Sequence, residues 1–293
     1  MKTAWNKLIA TTVLFAATAA PLRAVTDTNY FTVEPTGKLV MSVDRGGIKV
    51  TTWDRNQVEV IVQREVHDGT ASEAAALLKA HKVTCTQHGN EIIVEAQGPK
   101  SDWHSLFGRK PNLNVEFKIR VPEKFDLKLK TAGGGIKAAG LAGSVDVDTA
   151  GGGLEFSTIQ GPVEGHTSGG GIRATDCSGT LKIDTSGGGI DIKNFSGPWL
   201  KAQTSGGGIS ADFASQPKSD CSLSTSGGGI NVSVPETIAV NLDAGTSGGH
   251  VSSDLPVTVK GEHKGNELRG AINGGGSALV LKTSGGNVQV QKR

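Results

Sequence analysis

The sequence predicts an all-β fold: a parallel β-solenoid of glycine-cornered coils, about 18–21 residues each, with one short helix in its N-terminal part. Three observations carry this. The phrase Thr-Ser/Ala-Gly-Gly-Gly-φ, with φ aliphatic, opens at Thr131, Thr149, Thr167, Thr185, Thr204 and Thr225, in steps of 18, 18, 18, 19 and 21 residues, and weaker copies open at Thr246 and Thr283. Such self-similarity marks units that bury an apolar face only against their neighbours. Between the phrases, apolar residues alternate with polar ones at strand period. Finally, 35 of the 42 glycines lie at or after residue 131, each triplet followed by an aliphatic residue at a fixed offset. That offset separates the chain from glycine-rich disorder.

The first 24 residues read as a signal peptide. Lys2 and Lys7 precede an apolar run from Leu8 to Ala20, and Leu22-Arg23-Ala24 ends in a small residue suited to cleavage. The run is short for a membrane span, and no later one could cross as a helix. The expected product is an exported protein of the periplasm, cell surface or medium. It would carry 27 basic and 28 acidic side chains, a net −1 against the +2 of the whole chain. Bulk charge therefore gives nucleic-acid binding no support. Three cysteines, an odd number, exclude a complete disulfide framework.

Residues 25–124 read as a less regular β region. Leu39, Met41 and Val43, then Ile48 and Val50, then Val58, Val60 and Val62 alternate as strands do. Gly46-Gly47-Ile48-Lys49-Val50, with Trp53 following, is a degenerate copy of the repeat. Strong helix formers over 72–81 predict one helix, with Ser72 as its N-cap, placed over the open end or an edge of the stack. Val83–Thr86 and Glu91–Glu95 read as a hairpin, Lys100–Pro111 as an irregular loop, and Val115–Val121 as a strand that Pro122 ends.

Residues 125–293 form the repeat proper. Its template is Gly-Gly-Gly-φ-x-φ-x-x-φ-x-Gly-x-φ-x-φ-x-Thr, predicting two short strands per coil and parallel sheets with strands about 4.8 Å apart. Eight or so coils would make a rod roughly 40 Å long. Apolar offsets of 0, 2, 5, 9 and 11 do not fit the six-residue period of the left-handed hexapeptide helix. Right-handed winding is expected from the general crossover preference alone.

Several columns invite functional readings. The glycine triplets lack the following helix and lysine of a phosphate loop, and positive φ with room at a tight corner explains them better. The column after the triplet, Lys137, Glu155, Arg173, Asp191, Ser210, Asn231, holds one aspartate and is no calcium ladder. Its alternating charges fix register. The threonine column should turn inward and bond corner backbone. Cys177 and Cys221 fall in columns otherwise filled by large apolar residues, and Cys85 alternates with Val83, so all three read as buried. Seven scattered histidines show no metal spacing. Asp146, Asp148, Glu164 and Asp184 could meet on an outward face, the arrangement a polysaccharide hydrolase or lyase would need. In mixed columns a solvated polar face accounts for them. No catalytic, cofactor-binding or metal-binding residue is predicted.

Three stretches, Asp44–Trp53 leading to Val58–Val62, Val121–Ile136, and Leu268–Gly276 with Leu279–Val290, carry a family resemblance. The chain resembles the bacterial domain-of-unknown-function family described as "putative adhesin" and is similar to the related auto-transporter adhesin head domains. The resemblance implies a β-solenoid and an envelope location and brings no ligand residues with it. The expected function is a non-enzymatic exported scaffold that binds surface glycans or envelope proteins through polar strand faces. The alternatives are a β-helix carbohydrate-active enzyme working through Asp146, Asp148 or Asp184, and a periplasmic module that senses or signals through a partner.

Overall fold

The computed structural model describes residues 23–98, 112–259 and 265–293. Most of the predicted signal peptide, and the loop expected over 100–111, lie outside them. The N-terminal part holds β1 (Ala24–Thr32), β2 (Lys38–Val43), β3 (Gly47–Trp53), β4 (Gln57–His67), α1 (Ala71–Ala80), β5 (Lys82–His88), β6 (Glu91–Gln97) and β7 (Asn112–Pro122). The regular coils follow as strand pairs: β8 (Asp126–Thr131) and β9 (Ile136–Ala139), β10 (Val145–Thr149) and β11 (Leu154–Ser157), β12 (Val163–Thr167) and β13 (Ile172–Thr175). Next come β14 (Leu181–Thr185) and β15 (Ile190–Phe195), β16 (Leu200–Thr204) and β17 (Ile209–Phe213), β18 (Cys221–Thr225) and β19 (Ile230–Val234). The chain ends in β20 (Val240–Thr246), β21 (Val251–Ser253), β22 (Thr258–Val259), β23 (Glu267–Ile272), β24 (Ser277–Thr283) and β25 (Val288–Lys292).

The fold is the expected β-solenoid. Sheet A has 12 strands in the order β1-β4-β7-β3-β9-β11-β13-β15-β17-β19-β25-β21, and sheet B has 13, in the order β22-β23-β20-β24-β18-β16-β14-β12-β10-β8-β2-β6-β5. Successive coils stack in parallel and in register, so the repeat columns become ladders: Ile136, Leu154, Ile172, Ile190 and Ile209 in sheet A, Val145, Val163, Leu181 and Leu200 in sheet B. Alternation turns these residues inward, and they are buried between the sheets. Leu141, Ile159, Cys177 and Phe195 fill the corner between the two strands of a coil. Gly165, the gap in an otherwise apolar column, makes room for Phe156: a Cβ there would stand 2.9 Å from the ring. The degenerate first copy is a true coil, since β2 pairs with β8 and β3 with β9.

The corners differ from expectation in their reason. No glycine of the six Thr-Ser/Ala-Gly-Gly-Gly corners has a positive φ. The middle glycine is required by close stacking instead: a Cβ on Gly152 would lie 2.2 Å from the carbonyl oxygen of Gly134. After the first four triplets positive φ falls five residues beyond the last glycine, at Gly140, Thr158, Asp176 and Asn194, with φ of 80°, 55°, 55° and 53°. The threonine column is inward as expected. Thr149, Thr167 and Thr185 donate from Oγ1 to the carbonyls of Gly134, Gly152 and Gly170 at 2.6–2.7 Å. Thr225 and Thr283 do the same at 2.6 Å to Gly207 and Gly228.

Chain order and stacking order part at the C-terminal end. β24 and β25 lie between the β18/β19 coil and the β20/β21 coil. Antiparallel β23 pairs with β20, so β20 must end the parallel stack on that side. Chemically equivalent columns in every coil carry no label for which coil is neighbour to which.

The helix is present, but its N-cap is Thr70, not Ser72. Thr70 Oγ1 accepts from Glu73 N–H and the Glu73 carboxylate accepts from Thr70 N–H, a capping box that fixes the start two residues earlier. The helix joins β4 of sheet A to β5 of sheet B and buries Ala74, Leu77 and Leu78. Arg64 caps its other end, donating to the carbonyls of Leu78 at 3.3 Å and His81 at 2.9 Å. Cys85 is half-buried, a departure from the expected burial: its strand β5 ends sheet B and has a neighbour on one side only.

Candidate functional site

The carboxylates singled out in the sequence do come together on the outer face of sheet B. Asp146 stands beside Glu164, and Asp148, His166 and Asp184 follow one another across three coils. Each has a partner one coil away: the cations Lys128 for Asp146 at 3.2 Å, Lys130 for Asp148 at 3.2 Å and Lys182 for Glu164, and the His166 ring for Asp184. A hollow of about 310 Å³ lies next to Asp184, between Lys182, Lys201 and Gln203; Asp146 and Asp148 are not part of it. The buried thiols of Cys177 and Cys221 are pushed up to about 11 by desolvation, so neither is a nucleophile at neutral pH. Among the described residues, no three His, Cys, Asp or Glu side chains are grouped to hold a metal ion.

The larger concavity is on sheet A. A groove of about 690 Å³ runs along the outer face, with the last glycine of successive triplets (Gly135, Gly153, Gly171, Gly189) along one side. Glycine has no side chain to fill the space beside the strand, so a solenoid cornered this way carries a trough along its stack. Lys137, Glu155, Arg173 and Asp191 line the other side. Lys137 pairs with Glu155 at 2.6 Å and Arg173 with Asp191 at 3.3 Å. These exposed pairs contribute about 0–1 kcal/mol each and chiefly fix register.

At its N-terminal end the groove becomes cationic. Lys118, Lys49 and Lys137 occupy neighbouring strands in register. Lys118 pairs with Glu116 at 3.3 Å and Lys137 with Glu155, while Lys49 is exposed and makes no ion pair among the described residues. Four residues beyond Lys49 along β3, Trp53 lies under two guanidinium groups, Arg120 at 4.5 Å and Arg55 at 5.0 Å from the ring centroid. Arg120 also donates to Glu59 at 2.8 Å. That guanidinium holds the Glu59 carboxyl below its usual range although the residue is buried. Tyr30 follows on β1, hydrogen-bonded to Glu59 and 57% exposed. Arg55 is exposed and, like Lys49, makes no ion pair among the described residues. Sequence reading marked Trp53 only as part of the degenerate copy. The register that assembles Tyr30, Glu59, Arg120 and Trp53 across four strands had no local signal.

The family comparison agrees with this architecture. The family model described as Toastrack DUF4097 matches residues 49–291. The chain belongs to the Toastrack family. This Toastrack chain is also similar to solved structures. One, described as a "putative adhesin" from Bacteroides fragilis NCTC 9343, is 12% identical with a TM-score of 0.45, covering 92% of this chain and 97% of that one. Another, described as a "putative lipid binding protein" from Parabacteroides distasonis ATCC 8503, is 13% identical with a TM-score of 0.47, covering 92% and 96%. No curated protein matches. Among the described residues, no helix is long and apolar enough to cross a membrane.

Proposed function

We propose that this Toastrack protein is an exported, non-enzymatic scaffold, cleaved after Ala24, whose sheet-A groove holds extended acidic glycans of the cell envelope. The supporting observations are the lysines at the N-terminal end of that groove, where Lys49 makes no ion pair among the described residues, and, further along the same face, the cluster in which Arg55 is exposed over Trp53 and Tyr30 is exposed beside it. Net charge near zero hides such a local excess. Acidic sugars suit it because carboxylates can pair with Lys49 and Arg55 while a sugar face lies on the exposed Tyr30 ring. Adhesion to surfaces, and the kinship with auto-transporter heads, belong to the same reading, as does the division into an irregular region to residue 124 and a repeat from 125.

The test is titration calorimetry with a polyuronate and with a neutral glucan of equal length, on the wild type and on Lys49→Glu/Arg55→Glu. Binding of the polyuronate alone, weakened about ten-fold or more by the double charge reversal, is the expected result. No polyuronate binding, or binding that ignores the reversal, removes the proposal. The carbohydrate-active alternative has one foothold, the hollow beside Asp184. Release of reducing ends from a polysaccharide, abolished by Asp184→Asn, would move the assignment there.

A further inference from the structure

Four strands end the two sheets: β1 and β21 in sheet A, β5 and β22 in sheet B. An open strand edge invites pairing, and proteins blunt it by shortness, charge, proline or bulges. β21 has three residues and β22 two, while β5 opens on Lys82. β1 has only one of these devices, the carboxylate of Asp27, and that is paired with Arg64 of the neighbouring strand. Cleaved after Ala24, the strand is eight residues, Val-Thr-Asp-Thr-Asn-Tyr-Phe-Thr, without lysine, arginine or proline, and it pairs with β4 without a bulge from Val25↔Arg64 to Thr32↔Gln57.

Its free groups can be assigned. In an antiparallel ladder, residues that bond the neighbouring strand alternate with residues that point away from it. Val66 N–H donates to the Arg23 carbonyl at 2.8 Å and Val33 N–H to the Asn56 carbonyl at 3.1 Å, so the odd-numbered residues bond β4. The N–H and C=O groups of Thr26, Thr28 and Tyr30 therefore face outward along the edge, as does the Thr32 N–H, while the Thr32 carbonyl accepts from Gln87 Nε2 at 2.7 Å.

We propose that this edge takes the same edge of a second copy, antiparallel about a two-fold axis through Thr28. That register sets Thr28 opposite Thr28 and Thr26 opposite Tyr30, which joins the outward donors and acceptors of these three residues across the middle of the strand. On the inner face it brings Val25 onto Phe31, the two half-buried apolar residues of this strand, and Asp27 onto Asn29. Centring the pair on Asp27 would set like charges opposite each other, and centring it on Asn29 would take Val25 off Phe31 and set Phe31 opposite Asp27. An isologous pair of this kind closes on itself. It also places both grooves on one continuous outer face, where a long polymer could engage them together.

The experiment follows mass in solution and cross-linking, all cysteine variants being made in a Cys85→Ser background. A residue opposite itself has Cα atoms about 5.5 Å apart, within disulfide reach. Thr28→Cys should therefore oxidise to a covalent dimer. Thr26→Cys should not, since its two copies would sit about 13 Å apart. Thr28→Pro removes an N–H that β4 does not use, a position where an edge strand tolerates proline. It should weaken the dimer about ten-fold or more with the circular dichroism spectrum unchanged. A monomer at every concentration, equal cross-linking from residues 26 and 28, or a dimer indifferent to Thr28→Pro overturns the proposal.

Discussion

At the scale of the residue, the solenoid is held by what its corners exclude. The middle glycine of a triplet sits on the coil below so closely that even a methyl group has no place. Gly152 would carry its Cβ 2.2 Å from the Gly134 carbonyl and from the Gly135 nitrogen, whereas nothing lies within 4 Å of a Cβ on Gly133. Gly152→Ala should cost about 2–4 kcal/mol, because both neighbours are backbone and neither can rotate away. Gly133→Ala, one coil earlier at the first triplet position, should fall within about 0.5 kcal/mol of the wild type. Urea unfolding of the two variants decides the matter; equal losses would mean that glycine serves the corner through its conformation instead. This distinction was not legible in the sequence. The periodicity announces that glycine is needed, but stacking distance and backbone dihedral produce the same letter. The residues that do adopt positive φ, Thr158, Asp176 and Asn194, share no letter at all.

At the scale of the element, strands and helix were legible because each rests on a local pattern. Alternation gave the strands of the coils, and Thr70-Ala-Ser-Glu73 contains the capping box that starts α1. What lies beneath the helix was not legible, since it is assembled from distant stretches. His81, the residue that ends α1, is buried with both ring nitrogens unbonded, its Nε2 3.8 Å from Asp44 and with Arg45 and Arg64 also facing it. Desolvation lowers its pKa, against the opposing pull of Asp44. Its folded value therefore lies below its unfolded one, near 6.5. The unfolded chain takes up the proton first, so stability is undiminished above about pH 6.5 and falls as pH drops below it. The melting temperature of the wild type should decline between about pH 7 and 5 more steeply than that of His81→Leu, which removes the titrating ring. Parallel declines in the two proteins would assign the acid sensitivity to other groups.

At the scale of the whole molecule, parallel stacking makes stability a sum over neighbouring coils, and the order of those coils decides what a truncation removes. If chain order were stacking order, deleting residues 277–293 would strip one terminal coil and expose one new end. The register says otherwise. β24 bonds β18 on one side and β20 on the other, and β25 bonds both β19 and β21. The deletion therefore takes out an interior coil and leaves β20 to β23 with no parallel neighbour to hold them. Cys221, Leu223, Ile230 and Val232, all buried in the complete chain, would face the gap. The shortened protein should lose the order of residues 235–276 as well. Its hydrogen exchange should show those amides unprotected while the coils from β8 to β17 stay protected. Protection retained across 240–246 would mean that β20 has closed directly onto β18. The equivalence of the threonine and apolar columns permits that repacking, and the native chain avoids it by keeping β24 between them.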